Sequence, residues 1–381
     1  MKEHADESQR PKHVRAYSWL IAVSFAVISA QAQIGLFTNH TDVGTVLHAG
    51  SVDYDAAAHR YTLGGSGENM WFATDDFQFV WIRMSGDIRL SANVSILDQQ
   101  GDAHRKAVLM IRQSLDPDAA FADVALHGDG LTSLQYRAEK GAVTHEIESN
   151  VSAPKRLRIE KSGDTFTMWL GGADGAWQFA GGSAEVPLHG VFYVGIGVCA
   201  HNKDEFRKAV FSEVELTTPS HAANPMNWST LETITVASTD ARVAYAAPGR
   251  IESANWSADG LSLVFSQDSR NRKVALAGGA AVESSSSEPT QPVISGPVQL
   301  WEQATAAERN KTAPSFSPDG AKAAFLTWDE GDNFVTLRVL SLAEKKITTL
   351  CRYTGEHSVN DRPSWSPDGL RLAFVSRQII Q

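Results

Sequence analysis

Trp256-Ser-Ala-Asp-Gly260, Phe316-Ser-Pro-Asp-Gly320 and Trp365-Ser-Pro-Asp-Gly369 are three versions of one phrase, each followed by a short apolar run at 261–265, 321–325 and 370–374. In each copy an aromatic ends one strand, the next four residues turn, and the apolar run returns as the next strand. The turn has a local mechanism. Proline presets φ at the first central position, aspartate bonds the backbone two residues on, and glycine takes a positive φ without a Cβ clash. This reading assigns Asp259, Gly260, Asp319, Gly320, Asp368 and Gly369 to turns rather than to catalysis or metal binding. Self-similar β units at such spacings mark propeller blades. The phrases lie 60 and then 49 residues apart, and residues 278–297 between the first two are rich in Ala, Gly, Ser and Pro, as though blades were missing there. A closed propeller uses about four to eight four-stranded blades. Three or four blades in an incomplete or opened ring are therefore expected. Open strand edges invite a strand from another chain, which implies a homodimer or low stability.

The whole chain, 381 residues with 43% hydrophobic and 20% charged, has a globular composition and room for two folded units. Its amino terminus differs: Arg10, Lys12 and Arg15 precede an uncharged stretch at 17–30 that ends in Ala30-Gln31-Ala32. This is the pattern of a secretory signal peptide, too short in its apolar part for a spanning helix, with an uncleaved anchor as the alternative. No Cys stands nearby to accept a lipid. Export to a bacterial periplasm or the exterior follows, with no integral membrane segment once residues 1–32 are removed. The net charge is −10, and residues 1–32 hold four basic and three acidic side chains, so the mature chain is near −11. Nucleic acid is excluded as a partner on that balance. Cys199 and Cys351 fall in separate expected domains and read as two apolar thiols rather than a bridge.

Residues 33–216 show alternating strands, Gly-rich turns and no convincing amphipathic helix. Ile88, Leu90, Ala92, Val94 and Ile96 alternate with polar neighbours, the period of a half-buried strand. Further strands are expected at 78–84, 108–112, 133–137, 157–161, 166–170, 191–199 and 210–216. So many antiparallel strands predict a two-sheet β-sandwich or jelly roll. Residues 217–228, with Pro219 and Pro225 and no periodicity, form the expected linker, and 229–381 the blades. The fold class is all-β.

Three stretches, Trp71-Phe-Ala-Thr-Asp-Asp-Phe-Gln-Phe-Val-Trp81, Lys106-Ala-Val-Leu-Met-Ile-Arg-Gln-Ser-Leu-Asp116 and Leu134-Gln-Tyr-Arg137, resemble the concanavalin-like, laminin-G-like jelly-roll modules of bacterial extracellular proteins. Pro363-Ser-Trp-Ser-Pro-Asp-Gly-Leu-Arg-Leu-Ala-Phe374 resembles the repeat of TolB-like β-propellers. The first resemblance implies glycan recognition, of a polysaccharide or cell-envelope glycan. The second implies contact with an envelope protein partner.

A sugar site needs a ring to stack on and planar polar groups to read hydroxyls. Gln78, Arg112, Gln135 and Arg137 alternate with apolar neighbours, so each is expected to point away from the core, either into solvent or towards a ligand. Trp71 is the ring to pair with them, or else a core tryptophan. A glycan-degrading hydrolase is the competing class, because such enzymes pair two carboxylates. Glu146-Ile-Glu148 and Glu213-Val-Glu215 each share a face but lack a third acid, and exposed strand acids are the plainer reading. A TolB-like repeat also covers the active sites of prolyl-oligopeptidase-like peptidases, but the chain has no Gly-x-Ser-x-Gly elbow. His-Glu-x-x-His, phosphate-loop, Cys-x-x-Cys and calcium-loop motifs are also missing, and no cofactor or metal is expected. The leading expectation is a non-enzymatic exported binding protein, with an envelope scaffold acting through protein contacts alone as the alternative.

Overall fold

The computed structural model describes residues 34–97, 99–172, 174–219, 226–285, 294–308, 310–331, 333–356 and 361–380. The expected signal segment, the middle of the expected linker and part of the Ser-rich stretch at 278–297 lie outside the described residues.

Two facing sheets form the amino-terminal half. The larger runs through Asn39–Val43, Phe77–Met84, Phe192–Cys199, Lys106–Arg112, Phe121–His127, Thr132–Arg137 and His145–Glu148. The smaller runs through Trp177–Phe179, Thr165–Gly171, Arg156–Ser162, Ile88–Ile96, Arg207–Thr217, Arg60–Gly65 and Ser51–Asp55. Between them lies the main core, where Leu90, Leu109, Ile111, Val124, Leu134, Ile159, Phe166, Ile196 and Phe211 are almost wholly enclosed. This is the expected jelly-roll sandwich.

The larger sheet departs from a half-solvated sandwich, because Lys106–Arg112 and Phe121–His127 are buried along their whole length. Ala107, Leu109, Ile111, Ala122 and Val124 face the main core, while Phe77, Phe79, Val108, Met110, Phe121, Ala125 and Cys199 make a second apolar cluster on the outer face. A strand with two covered faces reads as a continuous apolar run instead of an alternation. That is why Phe121–His127 escaped the period-two reading.

Among the described residues the carboxy-terminal half contains three four-stranded blades. The first is Ile251–Trp256, Ser262–Gln267, Arg270–Ala275 and Val282–Glu283; the second is Ser315–Phe316, Lys322–Trp328, Phe334–Ser341 and Lys346–Thr354. The third joins Ser364–Trp365 and Arg371–Ile380 to Met226–Thr235 and Ala241–Pro248, so chain segments from both ends of this half complete one blade. In all three turn phrases the aspartate Oδ1 accepts the backbone N–H two residues on, from Leu261, Ala321 and Leu370, each at 3.0 Å. Hydroxyls of Ser257, Ser317 and Ser366 donate to the same oxygens. Gly260, Gly320 and Gly369 sit at φ of 72°, 68° and 69°, where a side chain would be strained.

Indole N–H groups link neighbouring blades. Trp256 Nε1 donates to the Ser364 carbonyl at 2.9 Å, and Trp365 Nε1 donates to the Ser315 carbonyl at 2.7 Å. The third blade is thereby tied to the first on one side and the second on the other. Phe316 holds the equivalent place in the second blade and has no N–H to give. Among the described residues no sheet closes on itself.

Sandwich and blades share one sheet. His145–Glu148 pairs in parallel with Ala241–Pro248, through Ile147 opposite Ala241 and Glu148 opposite Arg242, so the larger sheet extends to eleven strands. The main apolar cluster continues as well, taking in Val243, Leu326, Leu337, Trp365 and Phe374. The thiols of Cys199 and Cys351 are both free. Among the described residues no helix is long and apolar enough to cross a membrane.

Candidate binding site on the outer face of the sandwich

The register across the larger sheet places polar side chains in rows. Met110, Asp123, Gln135 and Glu146 stand opposite one another on successive strands, and Lys106 stands opposite His127. All of these face away from the main core. Over them lies the short hairpin of Met70–Trp71 and Thr74–Asp75.

The hairpin is held by a buried clamp. Asp75 receives Arg137 at 2.8 and 3.0 Å and Arg112 at 3.3 Å, and none of the three is accessible to solvent. Arg112 also donates to the carbonyls of Ser114 at 2.7 Å and Asp116 at 2.6 Å and to the Met110 sulfur at 3.8 Å. Arg137 serves the carbonyls of Ala142, Ala119 and Phe72 at 3.0, 3.1 and 3.1 Å. The guanidiniums also lie over Phe77 and Phe121, at 5.3 and 5.0 Å from the ring centroids. Burial pushes the Asp75 carboxyl up, against the pull of Arg137 and Arg112, and holds Arg112 down to about 10. These two arginines pin three loops to the sheet.

Beside the clamp the chemistry is less saturated. Lys106 Nζ donates to Gln135 Oε1 at 3.2 Å, Asn69 Oδ1 at 3.1 Å and the Met70 carbonyl at 3.3 Å, and sits 5.4 Å from the Trp71 ring centroid. Gln135 Nε2 passes the chain on to Glu146 Oε1 at 3.0 Å. Asp123, wholly buried, has no hydrogen-bond partner on either carboxylate oxygen, and buried Ser133 Oγ has none either. Burial raises the Asp123 carboxyl well above the usual range, with Lys106 as the main opposing charge, and lowers the Lys106 ammonium. His127, pushed down to about 3 by burial, is neutral at pH 7. Trp71 and Glu146 are the half-buried members at the rim.

The expected site residues therefore divide. Trp71, Arg112, Gln135 and Arg137 gather on one face, but Gln78 faces the other way, with Nε2 2.9 Å from His40 Nδ1 and its Cβ packed where Gly65 leaves room. The expectation that Gln78 points away from the core is corrected: its neighbours Phe77 and Phe79 belong to the second apolar cluster, not the first. The solvated outer face expected for all four polar residues is corrected too, since Gln78, Arg112, Gln135 and Arg137 are all buried. For the three on the outer face, the covering loops, which strand periodicity cannot foresee, are the reason. Lys106, Asp123 and Ser133 were missed. For Lys106 and Asp123 the signal was a charge within an apolar run, in Lys106-Ala-Val-Leu-Met-Ile and Phe121-Ala-Asp-Val-Ala-Leu.

Histidines 104, 127 and 201 lie nearby, with ring centroids 5.8 and 5.5 Å apart, but His201 uses both nitrogens, on Asp102 at 3.2 Å and Asn69 at 3.1 Å. No group of three or more His, Cys, Asp and Glu among the described residues is arranged to hold a metal ion.

The class defined is an all-β protein, a jelly-roll sandwich continued into a short run of propeller blades. No protein-family model and no curated protein matches the chain. Solved structures to which it is similar include a functionally unknown protein from Saccharomyces cerevisiae, at 18% identity and TM-score 0.37, covering 48% of this chain and 97% of that one. Another is the carbohydrate-binding module CBM66 from Bacillus subtilis, at 19% identity and TM-score 0.32, covering 49% and 99%. A third is a TolB candidate from Agrobacterium tumefaciens, at 12% identity and TM-score 0.17, covering 72% and 99%.

Proposed function

We propose that this chain is a non-enzymatic, exported binding protein whose sandwich recognises a glycan and whose open blades offer a surface to a protein partner. One observation carries the glycan reading: Asp123 Oδ1 and Oδ2 and Ser133 Oγ are enclosed without partners beside Lys106 and Gln135, under Trp71. An unsatisfied buried acceptor costs about 1–3 kcal/mol. Ligand hydroxyls entering between Trp71 and Glu146 would supply the missing donors, while a pyranose ring would stack on the indole. The test is a glycan array followed by calorimetry on residues 33–381. Binding is expected, weakened about tenfold or more by Trp71→Ala and Asp123→Asn and unaffected by Gln78→Ala on the other face. No glycan retained at millimolar concentration, or full binding by Trp71→Ala, would reject it.

One observation favours a hydrolase as the second reading. Asp123, whose carboxyl burial raises well above the usual range, and Glu146 stand in one row with Gln135 between them, two strand spacings apart. Two spacings are about 9.5 Å, the upper end of the separation used by inverting glycosidases. That reading predicts cleavage of the bound glycan, with Asp123→Asn abolishing turnover but sparing binding.

A further inference from the structure

We infer that the second blade carries a separate binding site for a neutral saccharide of one or two rings. The site is a 440 Å³ cavity on the blade face of Thr327, Thr336 and Arg338, walled by Trp328, Phe334 and Glu308. Its volume lies within the roughly 300–1,000 Å³ usual for small-molecule sites.

The cavity is prebuilt. Thr327, Thr336 and Arg352 stand in one row across three strands, so their side chains share a face. The opposite wall is the chain after the short helix Val298–Ala304, and Lys311 pins it. Its Nζ donates to the carbonyls of Thr305 at 2.6 Å and Glu308 at 3.2 Å, and sits 5.2 Å from the Trp301 ring centroid. Trp328 N donates to the Asn310 carbonyl at 3.3 Å, and Lys311 bridges to Thr327, so this wall follows the strand edge.

The charges select the ligand. Both arginines are already engaged, Arg338 with Glu308 at 2.5 Å and Arg352 with Glu185 at 2.5 Å, while Arg352 also lies 4.4 Å from the Phe334 ring centroid. Among the described lining residues, Glu308, Asp329 and Glu330 set three carboxylates against two guanidiniums, with no surplus positive charge for an anion. What remains is a dense array of acceptors and donors: two threonine hydroxyls, the Asn310 amide, and Arg338 Nε, which is buried without a partner. With Trp328 and Phe334 alongside, a polyhydroxylated ring with an apolar C–H face is the chemistry that fits. An acidic sugar would meet like charge.

The test is saturation-transfer NMR on residues 33–381 with neutral mono- and disaccharides and their uronic-acid counterparts. Neutral sugars are expected to bind, with affinity reduced about tenfold or more by Trp328→Ala and by Thr336→Val, a near-isosteric loss of one hydroxyl. Asp123→Asn, in the sandwich, is expected to leave this binding unchanged, which separates the two sites. Unaltered thermal midpoints in Thr336→Val would exclude a folding effect. Absence of transfer from every neutral sugar, preference for the uronic acids, or full binding by both blade variants would overturn the inference.

Discussion

Asp75 and Glu232 are both buried carboxyls in this β-rich interior, and their partners set opposite consequences. Asp75 is compensated by two guanidiniums and fixes loops to a sheet. Glu232, 2% exposed on Met226–Thr235, accepts the Ser376 hydroxyl at 2.5 Å on its Oε1, with no guanidinium paired to it among the described residues. Burial raises its pKa from 4.5 to about 7, with the Ser376 bond pulling the other way. The folded state therefore keeps a proton that the unfolded chain gives up near pH 4.5. This contribution is fully present below that pH and is lost as pH rises through about 7, on the order of 3 kcal/mol in all. Denaturant titrations should show the wild type losing stability between pH 5 and 8 relative to Glu232→Gln. Parallel pH profiles for the two proteins would count against the assignment. Nothing in Thr230-Leu-Glu-Thr233 announces this, since alternation alone makes Glu232 an outward residue and the covering layer comes from distant chain.

At the scale of elements, the turn phrases were the most legible feature, because their physics is contained in five residues. Ser, Asp and Gly close the same hydrogen-bonded loop in all three copies, and burial or distant contacts hardly enter. The aromatic before each turn was read only as a strand end, yet in two copies it is also the bolt between blades. Trp256→Phe keeps most of the buried ring and leaves the Ser364 carbonyl without its indole donor. A loss of about 1–3 kcal/mol is expected from urea unfolding, with the secondary-structure signal unchanged. Equal stability would mean that the inter-blade contact is carried by packing alone. The strands were legible to within a residue or two where one face is apolar, as at Ile88–Ile96. Of the two strands buried along their whole length, Lys106–Arg112 was still legible, as 108–112, and Phe121–His127 was not, and the same double covering hid Asp123 and Lys106 from the site reading.

For the whole molecule, the question is whether the sandwich and the blades are independent. Periodicity and the prolines near residue 220 place a boundary there, and no local signal could reveal that Ile147 and Ala241, 94 positions apart, become neighbours in one sheet. The junction is broad. Besides the parallel pairing, Ser183 and Thr354 hydroxyls meet at 2.7 Å, Arg352 reaches Glu185, and Asn150 Nδ2 donates to the Ala244 carbonyl at 3.2 Å. The main apolar cluster crosses it without interruption, so neither half could open without exposing the other's core residues to water. The short run of blades then has a simple support: Leu326, Leu337, Trp365 and Phe374 bury their side chains in the same apolar cluster as the sandwich. Residues 33–381 should accordingly unfold in one calorimetric transition, with calorimetric and van't Hoff enthalpies in agreement. A fragment of residues 33–216 would bare the His145–Glu148 edge and should self-associate in sedimentation, since an unpaired edge recruits another strand. Two resolved transitions, together with a monomeric fragment, would show instead that the shared sheet couples the halves only weakly.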